Sequence, residues 1–387
     1  GIHGTHLSLA LTARLGWPRD RVRVLDPHSE PLALWSRQTA NTGMTFMRSS
    51  LVHHLALDPY GLKRFARLPE TAGVARFAAP FRRPAYALFQ TFAAHTVRSR
   101  DLGALRVQGR ASGLRRLATG WRVETADGAL DARRVVLATG HTERLCWPAW
   151  ASALREAGGQ VDHLFDPAFD RAAVPEGHRV AVIGGGISAA QAATALARRG
   201  PTVLVSRHAL RVHTLDADPG WLGPKYMAGF QRQQCPVARR RAVNGARHRG
   251  SVPRDVLRQL ARAVRHDGLV QITAEATAVE MDAPGPDAAR RLRLALRQLD
   301  GTASDVVVDR IVLATGFEAS RPGGPWLDEA IHAEGLPLAP CGFPRVRGSL
   351  AWAPGLYVAG PLAELELGPT ARNIAGARAA TNYLPPA

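Results

Sequence analysis

A short run of apolar residues, Val180–Ile183, predicts a buried strand of a parallel sheet. An alanine-rich run then extends to Arg199 and predicts a helix. After the break at Gly200 and Pro201, a second apolar run, Thr202–Ser206, predicts the neighbouring strand. This order of strand, helix and strand predicts a β-α-β unit.

The first residues of the chain repeat the second half of that pattern. Leu7, Leu11 and Leu15 lie at helical spacing, and a predicted strand over residues 21–25 ends at Asp26. The strand that would precede the helix is not in the sequence. We therefore expect the given sequence to begin inside a β-α-β unit, and the missing central strand to weaken the site that the unit builds.

The rest of the chain alternates between periodic and irregular segments. Helices are predicted over residues 81–99 and 252–265, and strands around residues 105–108, 121–125, 134–137, 269–273, 291–296, 305–313 and 355–360. Residues 31–60, 162–175 and 221–251 are predicted to be loops or irregular connections. Pro369 is expected at the first position of a last helix that runs through Ala377.

Two predicted strands end in the same tripeptide, Ala138-Thr-Gly140 and Ala314-Thr-Gly316. A similar length of chain separates each tripeptide from the glycine pattern before it, which indicates an internal repeat. We therefore predict an α/β fold with two Rossmann-like dinucleotide-binding domains. The second domain, residues 146–320, is inserted into the first, which comprises residues 1–145 and a return segment, 321–387.

Glycines at the start of both predicted helices indicate phosphate binding. Gly184-x-Gly186-x-x-Ala189 follows its strand directly, as a dinucleotide fingerprint requires. The first glycine permits the tight turn, the second lets the backbone approach a pyrophosphate, and the helix start offers free N–H groups. Ser188 lies in that helix start.

In the first unit, Gly1 and Gly4 take the places of the second and third glycines. Asp26 lies about 20 residues further on, where an acidic side chain binds a ribose hydroxyl. Two dinucleotide sites in one chain predict FAD together with a nicotinamide cofactor. Arg207 and Arg211 follow the second strand of the inserted unit without an acid, which favours the 2′-phosphate of NADPH.

Further candidate cofactor contacts come from loops and strand ends. In the segment after the first unit, Arg48 is a candidate for a phosphate or flavin oxygen, and Trp35 and Met44 for packing on a flat ring. The strand ends and the last helix add Gly140, Gly316, Gly360 and Asn373. His53 and His54 are adjacent and point about 100° apart on a helix, so a structural role is favoured over a metal site.

Charge and cysteine content narrow the class of protein. The net charge of +18 comes almost entirely from arginine. The densest run, Arg239–Arg241 with Arg247 and Arg249, has no interleaved aromatics, so a solvated face or the edge of a phosphate pocket is favoured over nucleic-acid binding. No apolar run spans a membrane, and three distant cysteines offer no local dithiol. A cytoplasmic enzyme without a nucleic-acid or membrane partner is therefore expected.

The sequence Asp309-x-x-x-Leu313-Ala-Thr-Gly316-Phe317 resembles the signature of class B flavin-dependent monooxygenases, most nearly the microbial lysine and ornithine N-hydroxylases. The loop from Trp35 to Met44 is similar to their flavin loop. The resemblance implies that reduced FAD reacts with oxygen to give a C4a-hydroperoxide, which oxidises a small nucleophilic substrate such as an amine. That chemistry requires exclusion of water more than acid–base catalysis, and no side chain stands out as catalytic.

Two other functions are compatible with the sequence. A flavin reductase would pass electrons to a separate acceptor, and a non-enzymatic protein would only bind flavin. The lack of a dithiol disfavours the disulfide-reducing branch of the first alternative.

Overall fold

The computed structural model describes residues 1–141, 144–281, 291–346 and 348–387. The helices are α1 (Ile2–Ala13), α2 (Ala33–Thr42), α3 (Gly61–Phe65), α4 (Tyr86–Ser99), α5 (Ala149–Glu156), α6 (Ile187–Ala197), α7 (Pro224–Arg232), α8 (Pro236–Ala246), α9 (Arg254–His266), α10 (Gly324–Glu334), α11 (Glu364–Leu367) and α12 (Ile374–Ala380). The strands are β1 (Val24–Asp26), β2 (Phe77–Ala78), β3 (Arg83–Pro84), β4 (Arg106–Gln108), β5 (Ala111–Leu117), β6 (Gly120–Thr125), β7 (Gly128–Ala132), β8 (Val135–Leu137), β9 (Val161–His163), β10 (Val180–Ile183), β11 (Thr202–Ser206), β12 (Arg211–Val212), β13 (Ser251–Val252), β14 (Val270–Met281), β15 (Leu292–Gln298), β16 (Ala303–Val308), β17 (Arg310–Leu313), β18 (Ala351–Ala353) and β19 (Leu356–Val358).

The main sheet is built around β10. Its strand order is β16-β15-β14-β11-β10-β17-β9. β10 pairs in parallel with both β11 and β17, so that Val180 lies opposite Thr202 on one side and Arg310 on the other. All four residues of β10 are buried, because α6 and α9 cover one face of the sheet and α5 lies on the other. The predicted β-α-β unit is therefore confirmed.

The C-terminal segment returns to strands that precede the main sheet in sequence. β19 pairs in parallel with β8, with Val358 opposite Leu137, and β18 extends this pair on the other edge of β19. β1 pairs in parallel with β4 as a separate two-stranded ribbon. The α/β fold with two dinucleotide-binding domains is confirmed, whereas boundaries at residues 145 and 320 stay predictions.

A three-stranded antiparallel sheet, β5-β6-β7, lies beside the returning strands. Trp121 of β6 is fully buried there, and its indole N–H donates to the carbonyl oxygen of Pro354 at 2.9 Å. A buried tryptophan with a satisfied donor anchors the small sheet to the β18–β19 turn. The sequence analysis did not predict β5 or β7, because their exposed faces interrupt the apolar pattern.

Three segments predicted to be irregular contain regular structure. Residues 33–42 of the predicted loop form α2, residues 161–163 form β9 against β17, and residues 224–246 form α7 and α8. Pro224 and Pro236 occupy the first positions of α7 and α8, where proline is favoured. The two prolines could have indicated where these helices begin. The arginines at 239–241 interrupt the apolar periodicity after Pro236, and so the helical pattern was not recognised there.

The last helix also begins later than predicted. Pro369 and Arg372 lie in turns, and α12 starts at Ile374 with Asn373 as its N-cap residue. Asparagine is among the best N-cap residues, and that preference would have located the start more accurately than the proline did.

Among the described residues, no helix combines the length and the apolar character that crossing a bilayer requires.

Candidate cofactor and active site

The loop after β10 has the shape that a dinucleotide phosphate needs. Gly184 has φ +155°, and a Cβ atom there would lie 2.5 Å from the carbonyl oxygen of Ala314. Any side chain would therefore displace the neighbouring strand end. Gly186 is the N-cap residue of α6, and no side chain caps that helix. The first N–H groups of α6, including the turn that holds Ser188, are thus available to an anion.

The residues after β11 place positive charge beside this loop. Arg207 and Arg211 are exposed, and within the described parts of the chain neither guanidinium has a hydrogen bond or an ion pair. The imidazole of His208 lies against the loop, because a Cβ atom on Gly185 would come within 2.9 Å of it. Arg207, directly after β11, and Arg211, in β12, fit the 2′-phosphate of NADPH.

The start of α1 offers a second open helix end. Beside Gly1 and Gly4, nothing lies within 4 Å of an added Cβ atom, and no side chain caps the helix. Asp26 at the end of β1 lies next to Gly1, with 3.1 Å between its carboxylate and the Gly1 amino group. A helix start bordered by open space and an acid fits the pyrophosphate and ribose of FAD.

The return segment completes this side of the molecule. Gly360 has φ +62°, and a Cβ atom there would lie 3.3 Å from the ring of His3 in α1. Nε2–H of His3 donates to the carbonyl oxygen of Ala371 at 2.9 Å. The side chain of Asn373 makes no capping hydrogen bond at the start of α12. The return segment therefore packs on the first helix where the predicted FAD site lies.

The two Ala-Thr-Gly strand ends come together at the residues that follow them. Gly140 and Gly316 have φ +77° and +81°, and open space lies beside both. The rings of the next residues, His141 and Phe317, lie 4.8 Å apart, and Phe317 also stacks on Phe165 at 4.9 Å. Burial, with a smaller contribution from the nearby Arg372 and Arg247, lowers the pKa of His141 to about 3. This half-buried ring cluster thus holds an imidazole that is neutral near pH 7.

Three predicted flavin contacts have partners within the protein. Trp35 lies in α2 and packs on Tyr86 and Phe89, with ring centroids 5.7 and 5.2 Å away, and Met44 packs on the same cluster. Arg48 donates to the carbonyl oxygens of residues 213–215 and to the hydroxyl of Ser251. Arg48 therefore fastens its loop to the inserted segment, and its contact with flavin stays a prediction, as do those of Trp35 and Met44.

A buried ionic cluster was missed by the sequence analysis. Glu364 is 1% exposed, and its carboxylate pairs with the guanidinium groups of Arg372, at 2.8 Å, and of Arg240. The neighbouring Arg239 pairs with Glu366 at 2.8 Å, and Arg247 pairs with Asp216 at 3.0 Å. The arginine run is therefore neither a solvated face nor a free phosphate edge at these positions. More than a hundred residues separate Glu364 from Arg240 and Glu366 from Arg239, so sequence spacing gave no signal for these two pairs.

The adjacent histidines have structural roles. His54 is fully buried, and its Nε2–H donates to the carbonyl oxygen of Pro59 at 3.1 Å. Nδ1 of His53 lies 3.0 Å from the hydroxyl of Ser50. Burial lowers the pKa of each to about 4, so both are neutral near pH 7. Within the described ranges, no group of three His, Cys, Asp or Glu side chains could hold a metal ion.

Comparison with known proteins supports this architecture. At 18% identity, the chain aligns with ornithine hydroxylase (PvdA) from Pseudomonas aeruginosa over 99% of this chain and 95% of that one, with a TM-score of 0.74. The FAD-bound cadaverine monooxygenase DfoA from Erwinia amylovora is 15% identical. It aligns over 99% of this chain and 92% of that one, with a TM-score of 0.73. Thioredoxin reductase from Lactococcus lactis is 12% identical and aligns over 98% of this chain and 92% of that one, with a TM-score of 0.56. No curated protein sequence matches the chain.

Fold and sequence family together define a flavoprotein that binds FAD and a nicotinamide cofactor. A family model described as FAD-NAD(P)-binding matches residues 1–142, and one described as L-lysine 6-monooxygenase/L-ornithine 5-monooxygenase matches residues 113–319. The second match covers more than half of the chain, and the protein belongs to that monooxygenase family. FAD and NADPH are therefore its cofactors, and the predicted class of enzyme, a monooxygenase, is confirmed.

Proposed function

We propose that the enzyme uses NADPH and oxygen to hydroxylate the nitrogen of a small primary amine. In balanced form, the amine, O₂, NADPH and a proton give the hydroxylamine, NADP⁺ and water. The observation that carries the proposal is the convergence of the two strand-end loops at His141 and Phe317. Family membership adds the reaction type, and two proteins of similar structure are an ornithine hydroxylase and a cadaverine monooxygenase, both named for amine substrates.

Each part of the site has a binding or shielding task in this proposal. The loop at Gly184–Gly186 and the start of α6 bind the NADPH pyrophosphate, while Arg207 and Arg211 hold its 2′-phosphate. The start of α1, Asp26 and the return segment at Gly360 bind FAD. Bound FAD supplies the two-electron activation of oxygen, which amino-acid side chains do not provide.

The ring cluster at the junction keeps water away from the reacting atoms. His141, Phe317 and Phe165 form a stack of edge-to-face and face-to-face contacts where the two cofactor sites meet. Because His141 is neutral, it adds no charge that would draw water into the junction. Oxygen transfer from a flavin requires such exclusion, since water diverts the activated oxygen to hydrogen peroxide.

The experiment that tests the proposal needs no known substrate. The FAD-loaded protein is reduced with NADPH without oxygen and then mixed rapidly with oxygenated buffer. We expect reoxidation of the flavin in two kinetic phases, and amines that serve as substrates should replace peroxide with a hydroxylamine product. Reoxidation in a single phase, with fast turnover of an artificial electron acceptor, would instead identify a flavin reductase.

The place of action is also part of the proposal. We infer that the enzyme works in the cytoplasm, where three unpaired cysteines stay reduced and NADPH is available.

A further inference from the structure

The guanidinium group of Arg372 is buried, and one of its nitrogens has no partner. The side chain is only 8% exposed, and its Nε–H donates to the carboxylate of Glu364 at 2.8 Å. In the part of the chain that the structure describes, the terminal nitrogen Nη2 is shielded from solvent and has no hydrogen-bond acceptor. Native proteins rarely leave a buried donor unpaired, and least of all a charged one. The unpaired nitrogen therefore indicates a ligand that supplies an acceptor.

Arg372 lies close to the segments that border the proposed FAD site. The residue before it, Ala371, accepts a hydrogen bond from His3 in the first turn of α1 at 2.9 Å. The residue after it, Asn373, begins α12. The charge of Arg372 also acts on His141, because after burial it makes the next largest contribution to the lowered pKa of that imidazole. The guanidinium therefore lies between the start of α1 and the strand end that leads to His141.

The same strand end carries a second unpaired polar group. The hydroxyl of Thr139 is shielded from solvent, and no described residue is its hydrogen-bond partner. The next residue, Gly140, has φ +77°, and nothing lies within 4 Å of an added Cβ atom there. Thr139 is two residues from His141, on which Arg372 also acts. One bound ligand near His141 would therefore satisfy both unpaired groups.

The charges around Arg372 define the chemistry of that ligand. Glu364 is shared by Arg372 and Arg240, so a single carboxylate faces two guanidinium groups. The other nearby acid, Asp216, pairs with Arg247 at 3.0 Å. A positive charge is therefore left over at Arg372. Because a guanidinium only donates hydrogen bonds, the ligand must present an acceptor, and the excess charge favours one that is negative.

We propose that Arg372 donates its free N–H to the isoalloxazine ring of FAD and stabilises the negative charge that this ring acquires on reduction. This inference rests on the placement of FAD in the proposed function. In that step NADPH gives up a hydride and becomes NADP⁺, and the ring gains the two electrons, the hydrogen and one negative charge. The oxygens and nitrogens of the ring accept hydrogen bonds, and a nearby cation tunes its electron affinity. Thr139 provides a second, neutral contact.

The pyrophosphate of FAD is the alternative acceptor for Arg372. The start of α1 already offers that group free N–H donors and the open space beside Gly1. Arg372 acts instead on His141, which contacts Phe317 of the inserted segment. The hydride comes from a nicotinamide that the inserted segment binds, so the ring of FAD belongs on this side. The charge of a pyrophosphate does not change on reduction, and this difference makes the two assignments distinguishable.

The midpoint potential of the bound FAD measures how strongly the protein prefers the reduced ring. FAD-loaded parent and variant proteins are titrated with dithionite beside a reference dye, so that the absorbance spectra give the potential without turnover. In Arg372→Gln we expect the ratio of reduced to oxidised FAD affinity to fall at least about tenfold, which is about 30 mV for a two-electron couple. Arg372→Lys keeps the charge and should retain most of the preference.

Control variants separate a contact with the ring from a structural role. Glu364→Gln leaves the charge of Arg372 less compensated and should raise the ratio, whereas a role of Arg372 only in fixing Glu364 predicts that both substitutions lower it. Arg239→Gln removes an equal charge that is satisfied within the protein, so the ratio should change less than about twofold. Thr139→Val should weaken both forms of FAD equally and leave the protein without FAD as stable as the parent, since the hydroxyl has no partner there.

The outcomes distinguish this inference from the proposed function. An unchanged potential in Arg372→Gln would overturn the inference, and a loss of affinity that is equal for oxidised and reduced FAD would assign Arg372 to the pyrophosphate instead. Either result leaves the proposed function intact. The expected fall in potential, together with reoxidation of the parent flavin by oxygen in a single phase, would support Arg372 as a ring contact and contradict the proposed hydroxylation.

Discussion

The imidazole of His141 and the phenyl ring of Phe317 lie edge to face, with centroids 4.8 Å apart. Each follows an Ala-Thr-Gly tripeptide at the end of a strand, one after β8 and one after β17. Equivalent positions of the internal repeat therefore contact each other. The Phe317 ring contributes to the burial that lowers the pKa of His141 to about 3.

Removing the ring should let water reach the imidazole. In Phe317→Ala we expect the pKa of His141 to rise toward its ordinary value of about 6.5, because the lowering is mainly due to lost hydration. NMR titration of the histidine ring protons measures this, with His141→Gln to assign the signal. Phe317→Leu keeps the apolar cover and should leave the pKa low. An unchanged pKa in Phe317→Ala would show that the arginines, not burial, set it.

The predicted preference for NADPH depends on Arg207 and Arg211, for which the described residues provide no hydrogen-bond or ion-pair partner. Arg207→Ala should weaken NADPH binding by roughly 10- to 150-fold and leave NADH nearly unchanged, since a charge-assisted contact contributes about 1.5–3 kcal/mol. Equilibrium titration with both nucleotides measures the ratio. Arg265→Ala, on an exposed face of α9, is the control. Equal losses for both nucleotides would show that Arg207 does not contact the 2′-phosphate.

The tight turn at Gly184 should tolerate no side chain. In Gly184→Ala the methyl group would lie 2.5 Å from the Ala314 carbonyl oxygen at φ +155°, so the loop must shift and NADPH affinity should fall at least about tenfold. Gly245→Ala is the matched control, because it lies inside α8 with open space around the added atom. Thermal unfolding with and without NADPH separates lost binding from lost folding. A Gly184→Ala protein that binds NADPH normally would contradict the assignment of this loop.

The sequence predicted those parts of the fold in which local pattern and tertiary environment agree. β10 and β11 were located to the residue, because both are buried on two faces and read as continuous apolar runs. α2 and α7 were missed, since glycine, polar and charged residues break their periodicity and their burial depends on distant partners. Trp35, for instance, packs on Tyr86 of another helix.

The candidate site shows the same division. The turn between the strand and the helix requires glycine at fixed positions, and the sequence motif reflects that requirement. Gly184 and Gly186 could therefore be predicted from the sequence. The pairing of Glu364 with Arg240 could not, because no local rule connects residues so far apart in sequence. A cleft lined by Arg14, Met227 and Arg378 was equally hidden, since segments far apart in sequence form its walls.

Buried histidines should make the folded state sensitive to acid. Burial lowers the pKa of His3 and of His6 to about 4, whereas unfolded histidine has a pKa of about 6.5. Between these values only the unfolded chain binds the protons, so the free energy of unfolding falls as the pH decreases from about 6.5 to 4. Each histidine contributes up to about 2 kcal/mol of this loss at pH 5.

Urea unfolding at pH 7.5, 6 and 5 measures that dependence. The slope of the unfolding free energy against pH, between pH 6.5 and 4, reports how many protons bind on unfolding. In His6→Gln we expect that number to fall by about one, because one of the titrating groups is gone. His332→Gln, an exposed residue of α10, should leave the slope unchanged. The same slope in His6→Gln as in the parent protein would show that His6 is already protonated in the folded state.

The ionic cluster at Glu364 tests how the return segment packs on α8. Glu364→Gln leaves Arg240 and Arg372 buried without their shared carboxylate, and we expect the free energy of unfolding to fall by about 3–5 kcal/mol. Glu366→Gln is the matched control.

Its partner, Arg239, also donates to the carbonyl oxygens of Gln231, Gln233 and Leu365, so the guanidinium stays satisfied when the carboxylate is lost. For Glu366→Gln we therefore expect a loss of only about 1 kcal/mol. Combining Glu364→Gln with Arg240→Met should recover part of the loss, because the double variant removes one of the two buried charges left without a partner. Urea unfolding of the parent protein, the single variants Glu364→Gln and Arg240→Met, and the double variant completes this double-mutant cycle. If the double variant is less stable than the sum of the single changes predicts, the carboxylate does not compensate Arg240, and the two segments must be held together chiefly by apolar packing.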